Sequence, residues 1–255
     1  MNLRTRTGGV RCSGPEALVR RAAAAEWGRL ASLVRGHLAR RRAAALPLAA
    51  TAAGLVLLFD LLQHLPGGAA LVERVGVVRG VQPLEVSLLR TPLSLFVPAL
   101  DLPVWGAFAQ VLVVFGLAET VLGRRVTLLV AYAGTLAGTL YARLAMDLGP
   151  DTPLGLAPSD ALVRDCGPSA AVVALAICTA WRARAWCTAG AVVVLMTSEA
   201  VLLPNLAGAE HLAAVAAALL AAALGEVVGG YGPRVPALAG AAGAAGGPRA
   251  RAVIP

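Results

Sequence analysis

The sequence predicts an all-α membrane protein, a bundle of six transmembrane helices with both termini on the cytoplasmic side. Three observations predict it. Of 255 residues, 58% are hydrophobic and only 14% are charged, against about 25% charged in soluble globular chains. The apolar residues gather into six stretches, near 43–63, 98–119, 125–146, 167–182, 185–203 and 209–229. Most approach the roughly 20 residues that a helix needs to cross a bilayer; the fourth is shorter. Finally, the arginines are distributed with a side.

Every basic residue among the 22 is arginine, and alanine is abundant. That pattern reads as the codon usage of a GC-rich bacterium, so the net charge of +8 predicts no nucleic-acid partner. With the N-terminus inside, residues 1–42, the turns at 123–125 and 181–184 and the chain after 229 face the cytoplasm. They hold seventeen arginines. The outer segments hold five, Arg74, Arg79, Arg90, Arg143 and Arg164, with Asp147, Asp151, Asp160 and Asp165. Cytoplasmic flanks of membrane helices carry the excess of Arg, which fixes N-in and C-in. The expected setting is the plasma membrane, with the lipid bilayer as first partner.

The chain divides into a basic cytoplasmic segment (1–42), a six-span membrane domain (43–229) and a low-complexity tail (230–255) that reads as disordered. The basic segment, with "ALVRRAAAAEWGRLASLVRGHLARRR", fits an amphipathic helix on the membrane surface. No A-x-A site follows a short apolar core, so it is not a cleavable signal peptide. The first outer loop, 64–97, is long and partly apolar, which places it in the interface. The third, 147–166, is rich in Gly, Pro and Asp.

Cys12, Cys166, Cys178 and Cys187 form no CxxC pair and read as small hydrophobes. His37, His64 and His211 are too scattered for metal-ligand spacing. Neither a metal nor a cofactor is expected.

The fourth stretch opens as "RDCGPSAA", residues 164–171. Gly167 permits a sharp turn, and Pro168 suits a first helical turn because its missing N–H costs nothing there. Ser169 then has two readings. A serine at a helix start often caps it. Alternatively, the free N–H groups at this terminus stabilise an oxyanion beside a nucleophilic hydroxyl. His211 lies near the outer end of the sixth stretch. Ser169 is about 18 Å above the inner turn and His211 about 21 Å, at 1.5 Å per residue. Small residues at Ala214 and Ala218, facing Ala170 and Ala174, let two membrane helices approach closely. Close packing there puts imidazole in reach of hydroxyl, the minimum for nucleophilic acyl transfer. Asp165 is either a favourable charge beside the helix N-terminus or a clasp that holds the third loop over the site.

These residues resemble the rhomboid intramembrane serine proteases. "GPSAA" at 167–171 is similar to the family's Gly-x-Ser-Gly motif. "HLAAVAAA" at 211–218 is similar to its His-x-x-Gly-x-x-x-Gly motif, with alanine for both glycines. "RTPLSLFVPALDLP" resembles the end of the family's first loop, with Arg90 on the arginine of a Trp-Arg motif and Leu89 in place of tryptophan. "FGLAETVLGRR" resembles its second-span exit, through Glu119 and Gly123. The resemblance covers 43 to 229 and implies Ser169 as nucleophile, His211 as base and then acid, and a client transmembrane helix as substrate. The family's oxyanion His and Asn fall on Pro103 and Ala107, which donate nothing from a side chain. Gln110, one turn deeper, is the nearest replacement, and Val173 stands where a tyrosine is common. Besides a divergent protease, the sequence therefore allows an inert rhomboid-like protein that binds client helices. A transporter or channel subunit fits less well, because the span middles hold almost no ionisable residues.

Overall fold

The computed structural model describes residues 15–41, 46–152 and 155–227. Helices account for nearly all of the ordered elements in that range, in the order α1 (Pro15–Arg41), α2 (Pro47–His64), α3 (Gly68–Gly76), α4 (Leu84–Ser94), α5 (Val104–Val121), α6 (Arg124–Leu148), α7 (Ser169–Ala183), α8 (Trp186–Leu202) and α9 (Leu206–Val227). A short 3₁₀ turn, Pro158–Leu162, lies between α6 and α7. Among the described residues there is no strand, only a single antiparallel bridge between Val78 and Asp165. The expected tail, 230–255, lies outside the described residues.

Each predicted apolar stretch becomes one helix: α2, α5, α6, α7, α8 and α9. Four helical segments are long and apolar enough to cross a membrane: Pro47–His64, Val104–Val121, Arg124–Leu148 and Leu206–Gly225. The chain is thus an α-helical multi-pass membrane protein by the length and composition of these helices. Two further apolar helices, Ser169–Ala183 and Trp186–Leu202, are shorter. Their lengths are set by what breaks them. Gly167 and Pro168 precede α7, Arg184 in the left-handed region (φ 58°) ends it, and α8 runs out at Leu203–Pro204.

At 15 residues, α7 spans only about 22 Å, less than a hydrocarbon core of about 30 Å. It is tolerated because protein surrounds it. Ten of its residues are buried, from Ala170 to Ala183, with α5, α6, α8 and α9 packed around it. By contrast α8 buries only Ala189 and turns Val194, Leu195, Val201 and Leu202 outward. Ala170, Ala174, Ala214 and Ala218 belong to one core cluster with Phe115, Leu175 and Ile177, and the Cys178 thiol donates to the Ala218 carbonyl at 3.6 Å. The strip at Ala170 and Ala174 also receives α6. A Cβ on Gly134 would lie 2.6 Å from the Ala174 Cβ and 3.1 Å from the Ala170 carbonyl oxygen.

The turn between α5 and α6 explains the Glu119–Gly123 motif. Glu119 is buried. Its Oε2 accepts from Ala49 N–H at 3.0 Å, and its Oε1 accepts from Arg124 Nε at 2.8 Å. One carboxylate thus satisfies a free donor at the start of α2 and closes the α5–α6 turn. Gly123 supplies the required φ of +82°.

For α1 the expected surface amphipathicity is not what organises the helix. Leu18, Val19, Trp27 and Leu38 are all exposed, without gathering on one apolar face. The helix docks through polar groups. Glu26 Oε1 accepts from Thr188 N–H at 2.7 Å and from Thr188 Oγ1 at 2.9 Å, capping α8, while Trp27 Nε1 donates to Thr188 Oγ1 at 3.0 Å. The Thr188 backbone N–H, chiefly, lowers the Glu26 carboxyl below its usual range.

The first outer loop folds into α3 and α4, which sequence alone left as an interfacial segment. Arg90 is its clamp, donating to the carbonyls of Glu73 (3.2 Å) and Val77 (3.0 Å). Loops one and three are laced together. Val78 and Asp165 exchange backbone hydrogen bonds at 3.2 and 2.9 Å, Gly167 N–H donates to Ser94 O at 2.9 Å, and Arg164 donates to Gln63 Oε1 at 2.9 Å. Arg79 pairs with Glu73 and donates to Leu162 O.

Candidate functional site

The laced loops deliver Ser169 to the mouth of the bundle. Gly167 has a φ of +121°, a conformation that L side chains rarely adopt. The helix N-cap is Pro168, and the first ladder hydrogen bond runs from Val172 N–H to Pro168 O at 2.8 Å. Ser169, Ala170 and Ala171 therefore carry the N–H groups that precede the ladder. Ser169 is half-buried and makes no capping hydrogen bond, so the cap reading of this serine does not describe what it does. Its hydroxyl is uncommitted.

His211 is buried, one turn into α9. Its Nδ1 lies 3.0 Å from Glu199 Oε2 on α8. Its Nε2 is shielded from solvent and has no hydrogen-bond partner. Among the described residues no hydrogen bond joins His211 to Ser169; the imidazole is brought to Glu199, and Ser169 stands on the neighbouring helix of the α7–α9 pair. Sequence reasoning missed Glu199. Two signals mark it: it is the one acid in an apolar helix, "WCTAGAVVVLMTSEAVL", and it and His211 sit at similar distances either side of the Leu203–Asn205 turn.

Asp165 is a clasp in two senses. Its backbone pairs with Val78, while its carboxyl accepts from Thr139 Oγ1 on α6 at 3.0 Å, beside the Glu210 carboxyl on α9. Burial, the largest influence, raises the Asp165 carboxyl above its usual range. Glu210 rests against Gly138, where a Cβ would come within 3.1 Å of the Glu210 Cβ. Arg143 reaches over this pair to donate to the Gln82 carbonyl at 2.7 Å and to Ser87.

The positions that the resemblance matches to oxyanion donors are placed as follows. Pro103 is the exposed N-cap of α5, and Ala107 packs against the core cluster. Gln110 is half-buried and, among the described residues, makes no hydrogen bond. Cys166, three residues before Ser169, is no rival nucleophile. Burial pushes its thiol up to about 11, and the thiolate is the reactive form. Val173 is buried in the core. Among the described residues no group of three or more His, Cys, Asp and Glu is placed to hold a metal ion.

No protein-family model matches the chain. No curated protein and no solved structure matches it either.

Proposed function

We propose that this chain is a divergent rhomboid-like intramembrane serine protease, with six helices across a bacterial plasma membrane and both termini inside. The observation that carries the reading is the His211 imidazole. Its Nδ1 is engaged by Glu199, and its Nε2 is buried and unpartnered, on a helix packed against the one that Ser169 begins. A desolvated base nitrogen with nothing to accept is costly unless it serves a partner.

In this reading His211 Nε2 takes the Ser169 proton as Oγ attacks a scissile carbonyl carbon in a client transmembrane segment. The carbonyl oxygen becomes an oxyanion, supported by the backbone N–H groups at the start of α7. Collapse expels the amine, which takes the proton from His211 and leaves an acyl ester on Ser169. Water then attacks the ester, giving one proton to His211. The acid product leaves as that proton returns to Ser169. Hydroxyl and imidazole draw together when substrate binds, since catalytic hydrogen bonds are often long in resting enzymes. A fluorophosphonate probe labels the detergent-solubilised wild type and does not label Ser169→Ala or His211→Ala. An unlabelled wild type, where an active serine hydrolase is labelled, ends the protease reading.

Pro103 and Ala107 favour a second reading, a rhomboid-like protein that holds client helices without cutting them. One lost oxyanion donor costs about 100- to 1000-fold in rate, and both side-chain donors are absent here. On that reading client capture survives Ser169→Ala and His211→Ala. Loss of the phenotype in either variant at normal abundance counts against binding alone.

A further inference from the structure

We infer that Glu199 is a positioning residue of this site, whose carboxylate holds the His211 imidazole with its proton on Nδ1 and so directs the Nε2 lone pair to the Ser169 hydroxyl. The inference rests on the protease reading and extends it from a pair of residues to three.

The chemistry of the pair supplies the tautomer. An ionised carboxylate only accepts hydrogen bonds. With Glu199 as the acceptor at 3.0 Å, Nδ1 carries the hydrogen, and a neutral ring then has its lone pair on Nε2. That nitrogen is the buried atom without a partner. The tautomer that Glu199 enforces is the one a serine's base requires. Carboxylates inside membrane helices are expensive and concentrate at functional positions. Among the described residues, Leu203 N–H is bonded to the Glu199 backbone carbonyl and His211 is the partner of its carboxylate. The other ionisable groups around His211 are accounted for elsewhere. Glu210 lies beside Asp165, and Arg143 is turned toward the first loop.

Two measurements on the full-length protein test this. The first is independent of activity. In ¹⁵N-histidine-labelled protein, the His211 resonances are identified by their loss in His211→Ala. Wild type shows Nδ1 protonated and Nε2 bare. In Glu199→Leu, which offers Nδ1 no acceptor, the ring loses its fixed tautomer and the proton is shared between the two nitrogens. A proton on Nε2 in wild type, or a tautomer unchanged in Glu199→Leu, overturns the inference. The second is the rate of fluorophosphonate labelling. Glu199→Leu is close in volume and lacks the carboxylate, and it slows labelling by about 10²- to 10⁴-fold, the scale of a misplaced histidine in a Ser–His–carboxylate site. Glu199→Asp keeps the carboxylate and labels about tenfold or more faster than Glu199→Leu. Equal rates for wild type and Glu199→Leu overturn the role of Glu199 and leave the protease reading intact. An unlabelled wild type with the expected tautomer overturns the protease reading, and the positioning role falls with it.

Discussion

Glu119 Oε2 accepts a hydrogen bond from Ala49 N–H at 3.0 Å, so a carboxylate near the end of α5 caps the start of α2. The same side chain accepts from Arg124, tying three helices at one end of the bundle. Glu119→Ala leaves a buried donor unsatisfied, which costs about 1–3 kcal/mol. Glu119→Gln keeps an oxygen for Ala49 and loses mainly the charge assistance, so its loss is smaller, about 1 kcal/mol. Thermal unfolding in detergent ranks the two. Equal losses would place the stabilisation in the Arg124 pair and not in the cap.

Close approach of α6 and α7 predicts opposite signs for two Gly→Ala changes. At Gly134 the new methyl meets Ala174 at 2.6 Å. Overpacking of this kind costs about 1–3 kcal/mol, more than the helix propensity that alanine restores. At Gly190 nothing lies within 4 Å, so Gly190→Ala gains propensity alone, up to about 1 kcal/mol. Tm falls in the first variant and rises or holds in the second. A stable Gly134→Ala would mean that the α6–α7 contact is loose.

The helices were legible in the sequence because a membrane span is a local property: length and apolar content decide it. The stretch at 125–146 becomes Arg124–Leu148 and that at 185–203 becomes Trp186–Leu202. The Glu119–Gly123 turn was legible as a motif, but its reason was not, because Ala49 lies 70 residues away. The same holds at the site. Ser169 and His211 stand out as residue types at helix ends. Their partners are set by which faces of α6, α8 and α9 meet, and an alanine-rich helix carries little information about its facing side. Thus Glu199 was passed over, and of the two readings of Asp165, a charge beside a helix start or a clasp, nothing in the sequence pointed to Thr139 as the group its carboxyl meets. The loop helices α3 and α4 were hidden for another reason. Pro92 inside α4 reads as a breaker, yet it lies near the helix end, and the Arg90 clamp holds the segment.

Glu26 and Thr188 predict an acid-sensitive docking of α1. The Glu26 carboxyl is lowered from its usual 4.5, first by the Thr188 backbone N–H. A depressed carboxyl stabilises the docked state above 4.5, and that contribution is lost as pH falls from there through the folded value. Amide hydrogen exchange around Thr188, referenced to Glu26→Ala, reads it directly. Wild type is protected relative to the variant at neutral pH, and the two converge below 4.5. Equal exchange at neutral pH would show that Trp27 alone secures the helix.

Asp165 predicts the reverse dependence. Burial raises its carboxyl above 3.8, with Thr139, Glu210 and Arg143 opposing the shift. The folded state then binds a proton more tightly than the unfolded chain. Its contribution is fully present below 3.8 and declines as pH rises through the raised value. Asp165→Asn is neutral at every pH and can still accept from Thr139 through its amide oxygen. The variant therefore flattens the stability profile, losing least against wild type, or gaining, at the alkaline end. Tm in detergent between about pH 4 and pH 8 measures this. A variant whose Tm runs parallel to wild type across that range would mean that the carboxyl is solvated. The clasp between the third loop and α9 would then reduce to the backbone pairing of Asp165 with Val78. A profile that flattens while labelling of Ser169 slows would tie the Asp165 carboxyl, which lies beside Glu210, to the placement of His211, the next residue along α9.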